Sequence, residues 1–152
     1  MEEALKALNA AEAAHRAAWE AVPLTIRKAI FVEGPATGFG SYIPREDNTF
    51  RSGETLHLYV EPIGFSYRPH GRLNAVDLSF DLAIYDEAGE ELFKQERFSG
   101  FQYQGREKVR ELYVNMEIKV TGLPSGSYTV GVTTRDLVTG DLGEFRLPFT
   151  TS

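Results

Sequence analysis

Apolar and polar residues alternate through most of the chain after residue 54, and this pattern constrains the fold more than any other feature. In the clearest segment, apolar residues occupy every second position: Val76, Leu78, Phe80, Leu82 and Ile84. A period of two sends successive side chains to opposite faces of a sheet. The segment 112–120 and two segments after residue 127 repeat the pattern, and turns containing Gly or Pro separate them. The sequence therefore predicts antiparallel strands with one buried face each.

The number and spacing of these segments predict the architecture. About seven to eight strands with regular turn signals are typical of a mainly β, antiparallel β-sandwich. A chain of 152 residues suits one domain. We expect residues 1–22 to form an N-terminal amphipathic α-helix and residues 23–152 to form the β-sandwich domain. The chain has no cysteine, so neither a disulfide nor a thiol nucleophile is available.

The helix is predicted from an alanine-rich segment that ends at Pro23. Its larger apolar residues, with Ala4, Ala11, Ala18 and His15 beside them, form a stripe at three- and four-residue spacing: Leu5, Leu8, Trp19 and Val22. An isolated helix of this length is marginal in water. We expect the stripe to pack on the sandwich or on a second copy of the helix. The alternative is that the helix tethers the domain to an upstream anchor or partner.

The closing segment Leu123–Ser152 carries a family resemblance. A Leu123-Pro-Ser-Gly turn leads into a strand containing Tyr128, and Thr139-Gly140 leads into a final Leu-Pro-Phe strand. This arrangement resembles the last two strands of immunoglobulin-like sandwich domains of bacterial envelope and secreted proteins. The resemblance implies an immunoglobulin-like sandwich in a periplasmic or secreted protein. A cytoplasmic location stays open, because the N-terminus lacks the basic-then-apolar pattern of a signal peptide.

No residue pattern in the chain indicates a catalytic or metal site. His15, His57 and His70 lack partners at metal-ligand spacing. The segment Gly64-Phe-Ser-Tyr-Arg68 departs from a nucleophile elbow, because Arg68 stands where a glycine is needed. We therefore predict a protein that is not an enzyme and has no cofactor or metal. A hydrolase with an unrecognised site is the remaining enzymatic alternative.

The net charge and hydropathy of the chain limit the classes of partner that it can bind. The formal net charge of −6 argues against nucleic acid, which requires a basic surface. No apolar run reaches the length of a membrane span. A protein partner, a second copy of the chain and a glycan all stay open.

The first candidate binding region is the long loop, residues 34–53. Loops of this length are uncommon in compact domains and are often functional. It combines aromatic and charged residues that suit recognition: Phe39, Tyr42, Arg45, Glu46, Asp47, Phe50 and Arg51. In one interpretation the aromatic residues cap the sandwich while Arg45 or Arg51 pairs with a carboxylate. In the other, the loop recognises a partner from a rigid scaffold. We also expect a short strand near Phe39–Ile43.

The second candidate is the turn after residue 66, which is aromatic and basic within an acidic protein. It contains Tyr67, Arg68, His70 and Arg72. One interpretation is a solvated hairpin. The other is contact with an acidic or sugar-like partner, with Tyr67 stacking and an arginine donating hydrogen bonds.

These observations predict a non-enzymatic binding or assembly domain. We expect it to recognise a protein partner through the long loop or the N-terminal helix. The alternative is a carbohydrate or small-ligand binding module that uses the long loop or tyrosines on strand faces: Tyr59, Tyr85, Tyr103 and Tyr113.

Overall fold

The computed structural model describes residues 1–152. It contains one helix and nine strands: α1 (Glu2–Ala21), β1 (Thr25–Val32), β2 (Thr49–Phe50), β3 (Thr55–Ile63), β4 (Arg68–His70), β5 (Leu73–Tyr85), β6 (Glu91–Gly105), β7 (Val114–Lys119), β8 (Gly126–Asp136) and β9 (Leu142–Thr151). The mainly β class with one N-terminal helix is confirmed. The alternating segment Val76–Ile84 falls within β5, the segment 112–120 contains β7, and the two segments after residue 127 fall within β8 and β9.

The strands form two sheets. One has the order β1-β3-β7, and the other has the order β2-β9-β8-β5-β4, with β6 also paired to β5. Neighbouring strands are antiparallel except for β2, which runs parallel to the end of β9. The sheets share one core because the inward positions of both are apolar. Its fully buried members include Leu56, Leu58, Val60, Val76, Leu78, Phe80, Met116, Val130 and Phe149.

The expected strand near Phe39–Ile43 does not form. Only an isolated bridge between Gly38 and Ser41 occurs there. The strand of this loop is instead β2, at Thr49–Phe50. Phe50 is almost completely buried in the shared core, so the hydrophobic side chain that anchors the loop determines where it joins a sheet.

Leu24, Ile26, Ile30 and Val32 do not all lie on the same face of the β1-β3-β7 sheet. A bulge shifts the β1–β3 register between Ile26 and Lys28. Leu24 and Ile26 pack in the shared core, whereas Ile30 and Val32 pack in a second cluster with Tyr59. An extra residue in one strand reverses which side chains face inward beyond it.

Helix α1 projects from the β-domain. None of its residues is buried, and Leu5 and Leu8 are 55% and 53% exposed. Its Trp19 packs edge-on against Phe65, with 5.1 Å between ring centroids. α1 lacks the apolar character of a helix that crosses a bilayer. Because Leu5 and Leu8 are exposed, most of the apolar stripe of α1 has no partner within the chain.

Candidate functional site

The long loop is attached to the domain by Phe50 and Arg45. The Phe50 ring packs edge-on against Phe31, with 5.1 Å between centroids. The Arg45 guanidinium lies 4.1 Å from the Phe50 ring centroid. It donates hydrogen bonds to Glu54 Oε2 and to the Thr49 carbonyl oxygen, both at 2.7 Å. Two of the residues proposed for recognition are thus fully used within the chain.

Glu54 completes this anchor from the start of β3. It also accepts a hydrogen bond at 3.0 Å from the Arg51 backbone N–H. This bond, reinforced by the Arg45 guanidinium, holds the pKa of the Glu54 carboxyl below its usual value. Arg51 therefore contributes to this anchor through its backbone N–H, and its side chain is exposed.

Residues 36–42 contact the face of the β1-β3-β7 sheet that lies opposite the shared core. Tyr42 lies over Tyr59, with 4.2 Å between ring centroids, and its hydroxyl accepts a hydrogen bond from Lys28 Nζ at 2.9 Å. The Ala36 N–H donates to Asn115 Oδ1 at 3.0 Å, and Asn115 Nδ2 donates back to the Ala36 carbonyl oxygen. Tyr42 and the Ala36–Asn115 hydrogen bonds therefore hold this part of the loop against the sheet.

Beneath this cover lies a buried polar pair. The Tyr59 hydroxyl donates to Glu61 Oε2 at 2.5 Å and accepts from the Gly40 N–H at 2.9 Å. Burial and the bond to Glu61 raise the pKa of Tyr59 to about 12. Arg27 lies 3.7 Å from the other Glu61 oxygen. Every polar group of this pair has a partner, so the arrangement fixes the loop in place.

The remaining residues proposed in the long loop do not converge. Phe39 is 36% exposed. Glu46, Asp47 and Arg51 are exposed. Asp47 Oδ1 accepts a hydrogen bond from the Thr49 N–H at 3.1 Å, which forms a local turn.

The second proposed region forms the hairpin of β4 and β5. Arg68, His70 and Arg72 are exposed at its tip. Tyr67 is half-buried, and its hydroxyl donates a hydrogen bond to the Val109 carbonyl oxygen. Burial raises the pKa of Tyr67, and the charge of Arg110 acts in the opposite direction. Tyr67 therefore connects the hairpin to a segment that the sequence did not associate with it.

Tyr67 also lines a cleft between α1 and the β-domain, which we call the junction cleft. It has a volume of about 270 Å³ and is lined by Arg16, Trp19, Glu20, Gly64, Phe65, Ser66, Tyr67, Lys108 and Arg110. Three aromatic rings form its walls. Three cations and one carboxylate surround them. Of the residues proposed from sequence, only Tyr67 lines this cleft.

Gly64 and Asp136 fix the base of the junction cleft. Gly64 has φ +73°, and a Cβ there would lie 2.3 Å from the Pro23 carbonyl oxygen. The chain leaving α1 can pass this close only because residue 64 has no side chain. Asp136 is fully buried, and its Oδ2 accepts a hydrogen bond from the Ser66 N–H at 2.8 Å. The segment between β3 and β4 that carries Phe65 and Tyr67 is therefore fixed in position.

The cations of the junction cleft have no partners. Ion pairs in the structure involve Arg27, Arg45 and His57, and no side-chain hydrogen bond involves Arg16, Lys108 or Arg110. The Ser66 hydroxyl is also without a hydrogen bond. Arg16 and Trp19 share a face of α1 because they are three residues apart. Lys108 and Arg110 alternate along the segment before β7, which is the one signal that could have pointed to them.

The four tyrosines proposed as a sugar platform do not share one surface. Tyr59 is buried and stacks with Tyr113 outside the β1-β3-β7 sheet, with 5.7 Å between centroids. Tyr103 packs edge-on against Tyr67. Tyr85 lies under Arg146. No cluster of three or more His, Cys, Asp or Glu side chains forms a metal-binding group.

Comparisons with known proteins assign no family to this chain. No family model matches the chain, and no curated protein is similar to it. Among solved structures, it is similar to superoxide reductase (neelaredoxin) from Ignicoccus hospitalis, with a TM-score of 0.43, 11% identity, and coverage of 84% of this chain and 82% of that chain. Spo0M, a sporulation control protein from Bacillus subtilis, gives a TM-score of 0.43 at 11% identity. The match covers 86% of this chain and 50% of Spo0M.

Proposed function

We propose that the chain is a non-enzymatic binding or assembly domain whose protein-contacting element is α1. One observation carries this proposal: a twenty-residue helix with an apolar stripe has no buried residue. An isolated helix of this length gains little stability from its own hydrogen bonds. Burial of the stripe against another protein would supply the missing free energy.

The partner that we propose is a second copy of the chain. The stripe places Leu5 and Leu8 about one turn apart, both exposed on one face of α1, which suits pairing with an identical helix. The other proposed contact, the long loop, is the weaker candidate because Tyr42, Arg45 and Phe50 are bonded within the chain.

The wider identity of the domain is also a proposal. The hairpin of β8 and β9 pairs through ten residues, from Gly126 with Thr151 to Arg135 with Leu142. This hairpin supports an immunoglobulin-like sandwich, and its resemblance to envelope and secreted domains supports a periplasmic or secreted protein.

The experiment measures molar mass by light scattering and helix content by circular dichroism across a range of protein concentrations. We expect mass and helicity to rise together in the wild type. The variant Leu5→Glu/Leu8→Glu should stay monomeric and lose helicity. Leu142→Glu is a matched control, because Leu142 is 55% exposed, as is Leu5, but lies on β9. A wild type that is monomeric throughout, with helicity equal to that of the double variant, would overturn the proposal.

A further inference from the structure

We propose that the junction cleft is a binding site for a small aromatic phosphate monoester. The inference is independent of α1 self-association, since it concerns the base of the helix, around Arg16 and Trp19, and the β-domain beside it. It is carried by three properties of the cleft: unpaired cations, aromatic walls and a volume that fits one ring with a charged group.

The unpaired cations are the first property. Arg16, Lys108 and Arg110 surround one cleft in a protein whose net charge is −6. Three like charges gathered with a single counter-charge repel one another, and this repulsion is unfavourable for the folded state. The chain has 22 acidic residues, yet only Glu20 lines the cleft. An anion bound between the three cations would remove the repulsion.

The net charge of the residues that line the cleft indicates which kind of anion fits it. Three cations and the Glu20 carboxylate give the cleft a formal charge of +2, from 3 − 1, among the residues that line it. A phosphate monoester carries roughly −1.5 to −2 at neutral pH. Arginine presents several N–H donors in a planar fork that matches phosphate oxygens. The free Ser66 hydroxyl adds a neutral donor.

The aromatic walls select the rest of the ligand. Trp19 and Phe65 meet edge-on at 5.1 Å, and Phe65 and Tyr67 lie 5.8 Å apart at an interplanar angle of 58°. Because the Tyr67 hydroxyl is already bonded to Val109, the ring contributes an apolar wall. Aromatic rings favour offset or edge-on contact with another ring.

The size of the cleft limits the ligand to one small molecule. Its volume of about 270 Å³ is slightly below the range of roughly 300–1,000 Å³ that holds drug-sized ligands. One aromatic ring with a phosphate fills such a space. A free phosphorylated phenol and a phosphotyrosine side chain carry the same phenyl phosphate group, and this group fits the cleft from either source. The test therefore includes both.

The chain supplies its own reporter. Trp19 is the only tryptophan, so tryptophan emission reports on the junction cleft alone. Phenyl phosphate is the probe, titrated into the full chain at constant ionic strength and followed by Trp19 emission and by calorimetry. We expect saturable binding with Kd on the order of 0.1–1 mM, appropriate to a ligand of this size. Phenol and inorganic phosphate should each bind at least about tenfold more weakly. A short phosphotyrosine peptide tests the second source: tighter binding than phenyl phosphate assigns the site to a peptide, and weaker binding assigns it to a free molecule.

Variants separate the cleft from general electrostatic attraction. Lys108→Gln/Arg110→Gln should weaken phenyl phosphate binding by about tenfold or more. Lys94→Gln/Lys119→Gln removes the same charge from exposed positions on β6 and β7 and should leave the affinity within about twofold. The proposal is overturned if neither emission nor heat saturates, if phenol binds as tightly as phenyl phosphate, or if the two double variants weaken binding equally.

Discussion

The long loop and the junction cleft contain similar side chains but bond them in opposite ways. Both combine aromatic rings with cations. In the loop, Arg45 is paired with Glu54 and lies over Phe50. In the cleft, Lys108 and Arg110 have no partner, and the rings of Trp19 and Tyr67 are only partly buried. Composition alone therefore does not identify a recognition surface, because recognition depends on which polar and charged groups have no partner within the chain.

This difference has a physical consequence for stability. Groups bonded within the chain contribute to the free energy of unfolding, so their removal destabilises the protein. Groups held ready for a ligand contribute nothing to stability or reduce it. Substitutions in the loop should therefore lower the free energy of unfolding. Substitutions in the cleft should instead lower the affinity for a ligand and leave stability nearly unchanged.

The largest effect is expected at Phe50, the residue that anchors the loop. Phe50→Ala should lower the free energy of unfolding by about 3–5 kcal/mol, because it leaves a cavity between Phe31 and Phe149. Phe39→Ala in the same loop should change it by less than about 0.5 kcal/mol, since Phe39 is exposed. Denaturant unfolding measures both. Equal effects would mean that the loop does not depend on Phe50.

The next effect is expected at the buried pair under the loop. Tyr59→Phe should cost about 1–3 kcal/mol, because Glu61 loses its donor and the Gly40 N–H loses its acceptor. Tyr113→Phe is the matched control, because the Tyr113 hydroxyl has no hydrogen bond. Denaturant unfolding at neutral pH compares the two. The bonding scheme is contradicted if the control loses as much stability as Tyr59→Phe.

The same pair predicts a pH dependence. The pKa of Tyr59 is about 12 in the folded chain, above the value of about 10 for an unfolded tyrosine. The folded state therefore keeps the Tyr59 proton to a higher pH than the unfolded state does. The resulting stabilisation of the folded state is fully present below pH of about 10 and is lost as the pH rises toward 12. Tyr59→Phe should reduce the loss of stability across this interval, as followed by unfolding at several alkaline pH values. An unchanged profile would contradict the shifted pKa.

A smaller effect is expected at Arg45. Arg45→Ala should cost about 1–2 kcal/mol through the lost hydrogen bonds to Glu54 and Thr49. Arg51→Ala retains the backbone N–H that binds Glu54 and should cost less than about 0.5 kcal/mol. Because the folded pKa of the Glu54 carboxyl is lowered, its contribution is present above the usual carboxyl pKa and lost as pH falls through the folded value. Acid unfolding of the two variants measures this difference, and identical curves would refute the role of Arg45.

The sequence predicted the elements better than their arrangement. Helix α1 and the strands around Val76–Ile84 follow from local periodicity, which the structure confirms. The β1 bulge, the position of β2 and the packing of the loop depend on contacts between distant residues, as between Ala36 and Asn115. The junction cleft depends on three separated segments, so Tyr67 was identified but its neighbours were not.

The smallest effect is expected in the junction cleft. Lys108→Gln/Arg110→Gln should leave the free energy of unfolding within about 0.5 kcal/mol of the wild type, or slightly raise it, because neither cation has a partner to lose. Any gain comes from relief of repulsion with Arg16, and salt screens that repulsion. The stability difference between variant and wild type should therefore shrink as ionic strength rises. A loss comparable to that of Arg45→Ala would show that these cations stabilise the fold, and the contrast between the two regions would disappear.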